Sequence, residues 1–235
     1  MRVAALQPGY LPWLGFFEQM YQADVFVIYD EVQYDKRSWR NRNRIRTADG
    51  WCWLTVPVLT KGVFTQKITE VRVNNDLPWK RKHWKALLVN YQNTPYFKKY
   101  ADFFEDVYKK NWEYLQDLDV EIIKYIKDDL GIRAPLDFLS SHEIEGASTT
   151  RVVNLLLKLG ADEFYNGAAG RRFFDEELFR KNNIRLIYQD YNHPVYKQRF
   201  PGFIPHLSIV DLMFNHGPES LDILTGKKKV PGEAK

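Results

Sequence analysis

Apolar residues along this chain recur with two different periods, and the changes between them outline the elements. A short apolar run, Val3 to Leu6, meets the Pro/Gly-punctuated turn Gln7-Pro8-Gly9-Tyr10-Leu11-Pro12. Pro12 stands where a helix would start, so the pattern predicts a helix from about Trp13 to Tyr21. A second apolar run, Val25 to Tyr29, ends in Asp30 and completes a βαβ outline. Asp49-Gly50 separates Arg42–Arg46 from Trp51–Val58 and predicts a β-hairpin, and Ile68–Val73 alternates as a short strand. From Trp79 to Gly131 the period becomes helical, over roughly 79–91, 96–112 and 118–130.

Alternation then resumes. Leu136–Leu139, Glu163–Tyr165 and Arg185–Asp190 read as strands. Between them lie a helix capped by Ser148 or Thr149 and ended by Gly160, and another near Asp175–Lys181. A last helix covers Ile209–Phe214, where Ser208 and Asp211 have capping-box spacing. The fold class expected is α/β: a mostly parallel sheet with flanking helices, of nucleotide-binding type, with an inserted β-hairpin and a helical segment. Residues 1–226 read as a single α/β domain with a helical embellishment at about 79–131, and 227–235 as a flexible tail.

The 235 residues, 45% hydrophobic and 15% aromatic, suffice for a sizeable core. The aromatic stripe Phe97, Tyr100, Phe104 and Tyr108 is accordingly read as core, and Lys80, Arg81, Lys82, His83 and Lys85 as a solvated or substrate-facing surface. Net charge is only +4, so local clustering carries more information than the total. Cys52 is the only cysteine and forms no internal disulfide. No apolar run approaches the roughly 18 residues of a membrane span, and Met1-Arg2 leads directly into a strand, so a cytoplasmic protein without membrane insertion is expected.

Candidate chemistry gathers after the strands, where ligands of open parallel sheets bind. Gln7, Tyr10 and Trp13 follow the first strand, and Asp30 follows the second. Next comes a segment carrying Lys36, Arg37, Arg40, Arg42, Arg44 and Arg46. As one strand it would place the four arginines from Arg40 on one face and Asn41, Asn43 and Ile45 on the other. Like charges so aligned call for an anionic ligand. The substrate-binding set is therefore Gln7, Tyr10, Trp13, Lys36, Arg40, Asn41, Arg42, Asn43 and Arg44, joined by Asn166, Gly167, Arg171 and Arg172 of a small-residue turn after a later strand. That turn matches neither a P-loop nor a GxGxxG fingerprint, and a tight turn with surface arginines reads it equally well. Asp30, His206 and His193 are the candidate acid/base groups. No histidine or cysteine spacing suggests a metal; the one cofactor the reading leaves room for is a nucleotide with Mg²⁺.

The blocks QPGYLPWLGFFE, ADVFVIYDEVQYDKRSWRNRNRI, WLTVPV, YNGAAGRRF and FIPHLSIVDLMFNHG, in that order from about Val3 to Gly217, resemble the WbqC-like protein family. The resemblance implies bacterial surface-polysaccharide (O-antigen) biosynthesis, a pathway rather than a reaction. More distantly, the opening is similar to the HUP-like fold of HIGH-type nucleotidyltransferases and pantothenate synthetases. Here Leu11-Pro12-Trp13-Leu14-Gly15 lacks both histidines of that turn, which puts nucleotidyl transfer by that mechanism in doubt.

The function expected is group transfer, of an acyl or aminoacyl group, on a nucleotide-linked sugar or similar phosphorylated intermediate. Arg40, Arg42, Arg44, Arg171 and Arg172 would bind anionic groups, with Asp30 or His206 as base. The alternatives are a nucleotidyltransferase-like ligase with an altered turn, or a nucleic-acid-binding module stacking bases on Trp39, Trp51 and Trp53. Against the latter stand the small net charge and the flanking Asp24, Asp30, Glu31 and Asp35. The expected partner is an anionic small molecule, a nucleotide sugar or an acyl or aminoacyl donor; the oligomeric state is left open.

Overall fold

The computed structural model describes residues 1–36, 38–62 and 65–228. From the N-terminus, β1 (Arg2–Leu6), α1 (Leu14–Gln22) and β2 (Val25–Ile28) form the first crossover unit, followed by the hairpin β3 (Arg42–Thr47) and β4 (Gly50–Thr55). Three helices come next: α2 (Trp79–Tyr91), α3 (Phe97–Lys109) and α4 (Leu115–Asp129). Alternation resumes with β5 (Leu136–Phe138), α5 (Ser148–Leu159), β6 (Glu163–Asn166), α6 (Glu176–Lys181) and β7 (Arg185–Tyr188). The chain then forms α7 (Ile209–His216) and α8 (Ser220–Leu224).

The five-stranded sheet runs β5-β2-β1-β6-β7 and every pairing in it is parallel. The chain winds outward from β1 to β5, then returns to β6 on the other side of β1 and winds outward again. The reversal opens a crevice at the carboxyl ends of β1 and β6. Side-chain alternation splits the core between the two faces. Ala4, Phe26 and Ile28 pack with α1, the hairpin, α2–α4 and α7. Val3, Ala5, Val27 and Phe164 pack instead with Val152 and Leu156 of α5 and Phe179 of α6. The aromatic stripe of α3 is buried, as its spacing predicts.

Several local expectations are corrected. Ile68–Val73 is not a strand: Ile68–Glu70 forms a 3₁₀ turn, with the Glu70 carboxylate accepting from the Lys67 N–H at 2.8 Å, and beyond it are only isolated bridges. The cap position of α5 is Ala147, without a side-chain bond, while Thr149 Oγ1 accepts from the Asp175 N–H at the start of α6. His83 is buried rather than solvated. Asp211 does not cap its helix, since its carboxylate accepts from the hydroxyls of Tyr91 and Tyr196 and from Gln198 Nε2 at 2.9–3.0 Å; Ser208 does cap it. The short helix α8, which buries Ile223 and Leu224, has no counterpart in the sequence reading. Arg37, and residues 229–235 of the expected tail, lie outside the described residues. Among the described residues no helix is long and apolar enough to cross a membrane.

Candidate functional site

At the carboxyl end of β1 the chain must turn sharply to enter α1, and the segment before the hairpin braces that turn. Arg40 Nη1 donates to the carbonyls of Gln7 (2.7 Å) and Pro8 (3.1 Å), and Tyr10 N–H donates to Arg40 O. Gly9 is required here, because a Cβ at that position would sit 2.9 Å from the Trp39 carbonyl oxygen. Asn43 Nδ2 donates to Leu11 O at 2.7 Å and so fixes Leu11 in the left-handed region, at φ 47°.

The braced turn forms one wall of a cavity of about 460 Å³. It is lined by Gln7, Trp13, Phe16, Gln19, Trp39, Arg40, Asn43, Arg44 and His206. Burial pulls the Arg40 pKa down while the nearby Asp119 carboxylate pushes it back, and a guanidinium remains charged throughout. Gln19 is oriented from below. Gln189 Nε2 donates to the buried Glu18 carboxylate, which leaves Gln189 Oε1 to accept from Gln19 Nε2 at 3.0 Å. Gln19 Oε1 is thereby left with no partner in the protein.

His206 adopts φ 58° and stands beside Trp13, with ring centroids 5.8 Å apart. His193 holds it there: His193 Nε2 accepts from the His206 N–H (3.2 Å) while Nδ1 pairs with Pro194 O (2.8 Å). Both nitrogens of His193 are therefore engaged, and burial holds its pKa down at about 4. With both ring nitrogens so engaged, His193 positions His206.

A second compartment, of about 840 Å³, shares Leu6, Gln7 and Arg40 with the first. Around it lie the start of α5, the β6 exit at Asn166, Gly167 and Gly170, and the side chains of Glu31, Lys67 and Arg151. Glu31 pairs with Lys67 (2.5 Å) and with Arg151, and hydrogen bonding to Lys67 is the main reason its carboxyl pKa is lowered. Because α5 has no side-chain cap, its first backbone N–H groups add positive potential to this compartment.

Other expected site residues lie elsewhere. Asp30 is fully buried and accepts from Ser140 N (2.9 Å), Ser140 Oγ (2.7 Å) and Gln116 Nε2 (2.8 Å), lining neither compartment. Tyr10 is also fully buried, its hydroxyl bonded to His83 Nδ1 (2.9 Å) and the Tyr108 hydroxyl (2.5 Å). Asn41 Nδ2 donates to Val56 O, Lys36 Nζ reaches Thr60 O at 3.4 Å, and Arg171 lies over the Tyr188 ring. Arg171 and Arg172 are exposed and line neither compartment.

Nor do the four arginines form one charged row. Arg40 precedes β3, Arg42 stacks on Trp53, and Arg44 lies over three indoles. Arg46, at 4% exposure, donates to the carbonyls of Thr47, Gly50 and Pro201. Carbonyl dipoles and indole faces thus supply the stabilisation that the sequence reading assigns to an anionic ligand.

Gln19, Lys67 and Arg151 are absent from the sequence-derived set. The last could have been found as a cation in the first turn of a helix that follows a parallel strand.

The profile of the WbqC-like protein family matches residues 7–223. Uncharacterized protein Rv1507c of Mycobacterium tuberculosis is 39% identical over 225 residues, covering 95% of this chain and 97% of that protein. No solved structure gives a significant match.

Proposed function

This chain belongs to the WbqC-like protein family, and from that premise we propose that it is a transferase acting on a nucleotide-linked sugar or similar phosphorylated intermediate. Membership suggests a role in polysaccharide biosynthesis; the reaction proposed is acyl or aminoacyl transfer to a sugar amine.

The observation that carries this reading is the junction of two unlike compartments at Gln7 and Arg40, on the crevice where the sheet reverses its winding. The larger has Lys67, Arg151 and the start of α5 for a diphosphate. The smaller is walled by Trp13, Phe16 and Trp39, which suit a ring. Transfer would then occur where they meet. The amine nitrogen attacks the acyl carbon and its proton passes to the His206 imidazole. Arg40 stabilises the carbonyl oxygen as charge develops there. The acyl C–O or C–S bond of an activated ester, thioester or acyl-phosphate donor breaks, the leaving oxygen or sulfur taking the electron pair and then the proton held by His206.

An Mg²⁺ accompanying a nucleotide would be held through phosphate oxygens and water, with at most one or two protein carboxylates. Among the described residues no three His, Cys, Asp or Glu side chains converge, and Glu31 is held by two cations. The groups proposed to bind phosphate are Lys67, Arg151 and the first N–H groups of α5.

Isothermal titration with nucleoside diphosphates and their sugars tests the reading. Heat is expected with the native protein and a loss of affinity in Arg151→Ala, about 1.5–3 kcal/mol for a charge-assisted hydrogen bond. A panel without heat on the native protein overturns it.

A further inference from the structure

We propose that the outer face of the β3–β4 hairpin is a sugar-stacking surface that holds a neutral oligosaccharide chain at the rim of the aromatic compartment. This rests on the reading of that compartment as the transfer site and names a carbohydrate held beside it, distinct from the sugar amine that accepts the acyl group.

Trp39, Trp51 and Trp53 are 44%, 42% and 37% exposed. They form one patch, with ring centroids 5.3 Å apart between Trp39 and Trp53 and 5.6 Å between Trp51 and Trp53. The register explains how they meet. Trp51 and Trp53 are two apart on β4, hence on one face, and stand opposite Arg46 and Arg44 on β3. The Arg42 guanidinium lies 4.4 Å from the Trp53 centroid and that of Arg44 5.0 Å from Trp51 and 5.5 Å from Trp39. Contiguous aromatic surface left in water marks an interaction site rather than packing.

The patch is continuous with the smaller compartment, because Trp39 and Arg44 belong to both. Its chemistry selects the occupant. A pyranose ring presents C–H groups on its faces and hydroxyls around its rim, which matches indole faces bordered by guanidinium N–H donors. A polyanion fits less well, since Arg44 lies along the indoles and donates to the His206 carbonyl instead of pointing outward. The net charge of +4 gives no broad field to hold a nucleic-acid backbone either.

Titration calorimetry and tryptophan emission decide, using short oligosaccharides built of glucose, mannose, galactose or rhamnose, with oligothymidylate as the competing class. At least one oligosaccharide should bind the native protein and shift its emission. The double variant Trp51→Ala/Trp53→Ala should weaken that binding roughly tenfold or more, whereas Trp51→Phe/Trp53→Phe, which keeps the rings, should retain most of it. Nucleotide-sugar affinity should be unchanged in both variants, because Trp51 and Trp53 line neither compartment. The inference is overturned if no oligosaccharide binds, if oligothymidylate binds more tightly with a steep salt dependence, or if the Ala variant changes the oligomeric state. Oligosaccharide binding without nucleotide-sugar binding would sink the transferase reading and leave the stacking surface standing.

Discussion

Arg44 and His206 are 162 positions apart in sequence, yet the Arg44 guanidinium donates to the His206 carbonyl at 3.0 Å. Two residues on, Ser208 N–H donates to Arg44 O (2.9 Å), and Ile209 N–H donates to Pro12 O (2.9 Å). Three distant stretches, the turn after β1, the hairpin and the approach to α7, are thus tied around one cavity wall. His206 keeps its left-handed backbone because both of its flanks are held.

Arg44→Ala and Arg46→Ala are therefore expected to behave differently. Loss of Arg44 removes one hydrogen bond and its indole contacts, about 1–2 kcal/mol, so thermal melts should fall by a few degrees while ligand affinity drops. Loss of buried Arg46 leaves three carbonyls without their donor and should cost about 3 kcal/mol or more. Arg46→Lys should not rescue it, because an ammonium cannot reproduce the planar fork. Equal melting temperatures for the two Ala variants would contradict this assignment.

The α/β alternation was legible because each strand is a short apolar run bounded by turn residues, as at Val25–Ile28, and each helix has its own period. The site was legible only in part. Gln7, Trp13, Arg40, Asn43, Arg44 and His206 do meet in one cavity. Asp30 and Tyr10 could not be separated from them by sequence, since a polar residue after a strand can turn toward the crevice or toward a neighbouring helix. Asp30 took the second course because Ser140 and Gln116 satisfy it there. The arginines depart from the expected row for a related reason: which carbonyls and rings a guanidinium meets depends on contacts far along the chain, such as Pro201 for Arg46.

Asp211 makes stability depend on pH in an uncommon direction. Burial raises its pKa to about 6 in spite of three donated hydrogen bonds, against about 4 in an unfolded chain. The folded state therefore holds this proton more tightly. The contribution is most favourable below pH ~4 and is lost as pH rises to about 6, by roughly 3 kcal/mol. The melting-temperature difference between the native protein and Asp211→Asn should shift against the native protein across that window; a shift in its favour would refute the buried-acid assignment.

His83 acts in the opposite sense. Burial lowers its pKa to about 4, below the ~6.5 of an unfolded histidine. Its contribution is intact above pH ~6.5 and is lost as pH falls toward 4, by roughly 3 kcal/mol. His83→Gln, which keeps an acceptor for the Tyr10 hydroxyl, should melt with a flatter dependence over that range. Parallel curves for the variant and the native protein would count against the assignment.

Whether a diphosphate lies in the larger compartment, beside Arg40, is decided by a crystal structure soaked with a nucleoside diphosphate sugar. Diphosphate oxygens are expected against Arg151, Lys67 and the first turn of α5, with the sugar directed past Gln7 toward His206. A diphosphate seated instead on the exposed Arg171 and Arg172, or on the outer face of the hairpin, would contradict that placement.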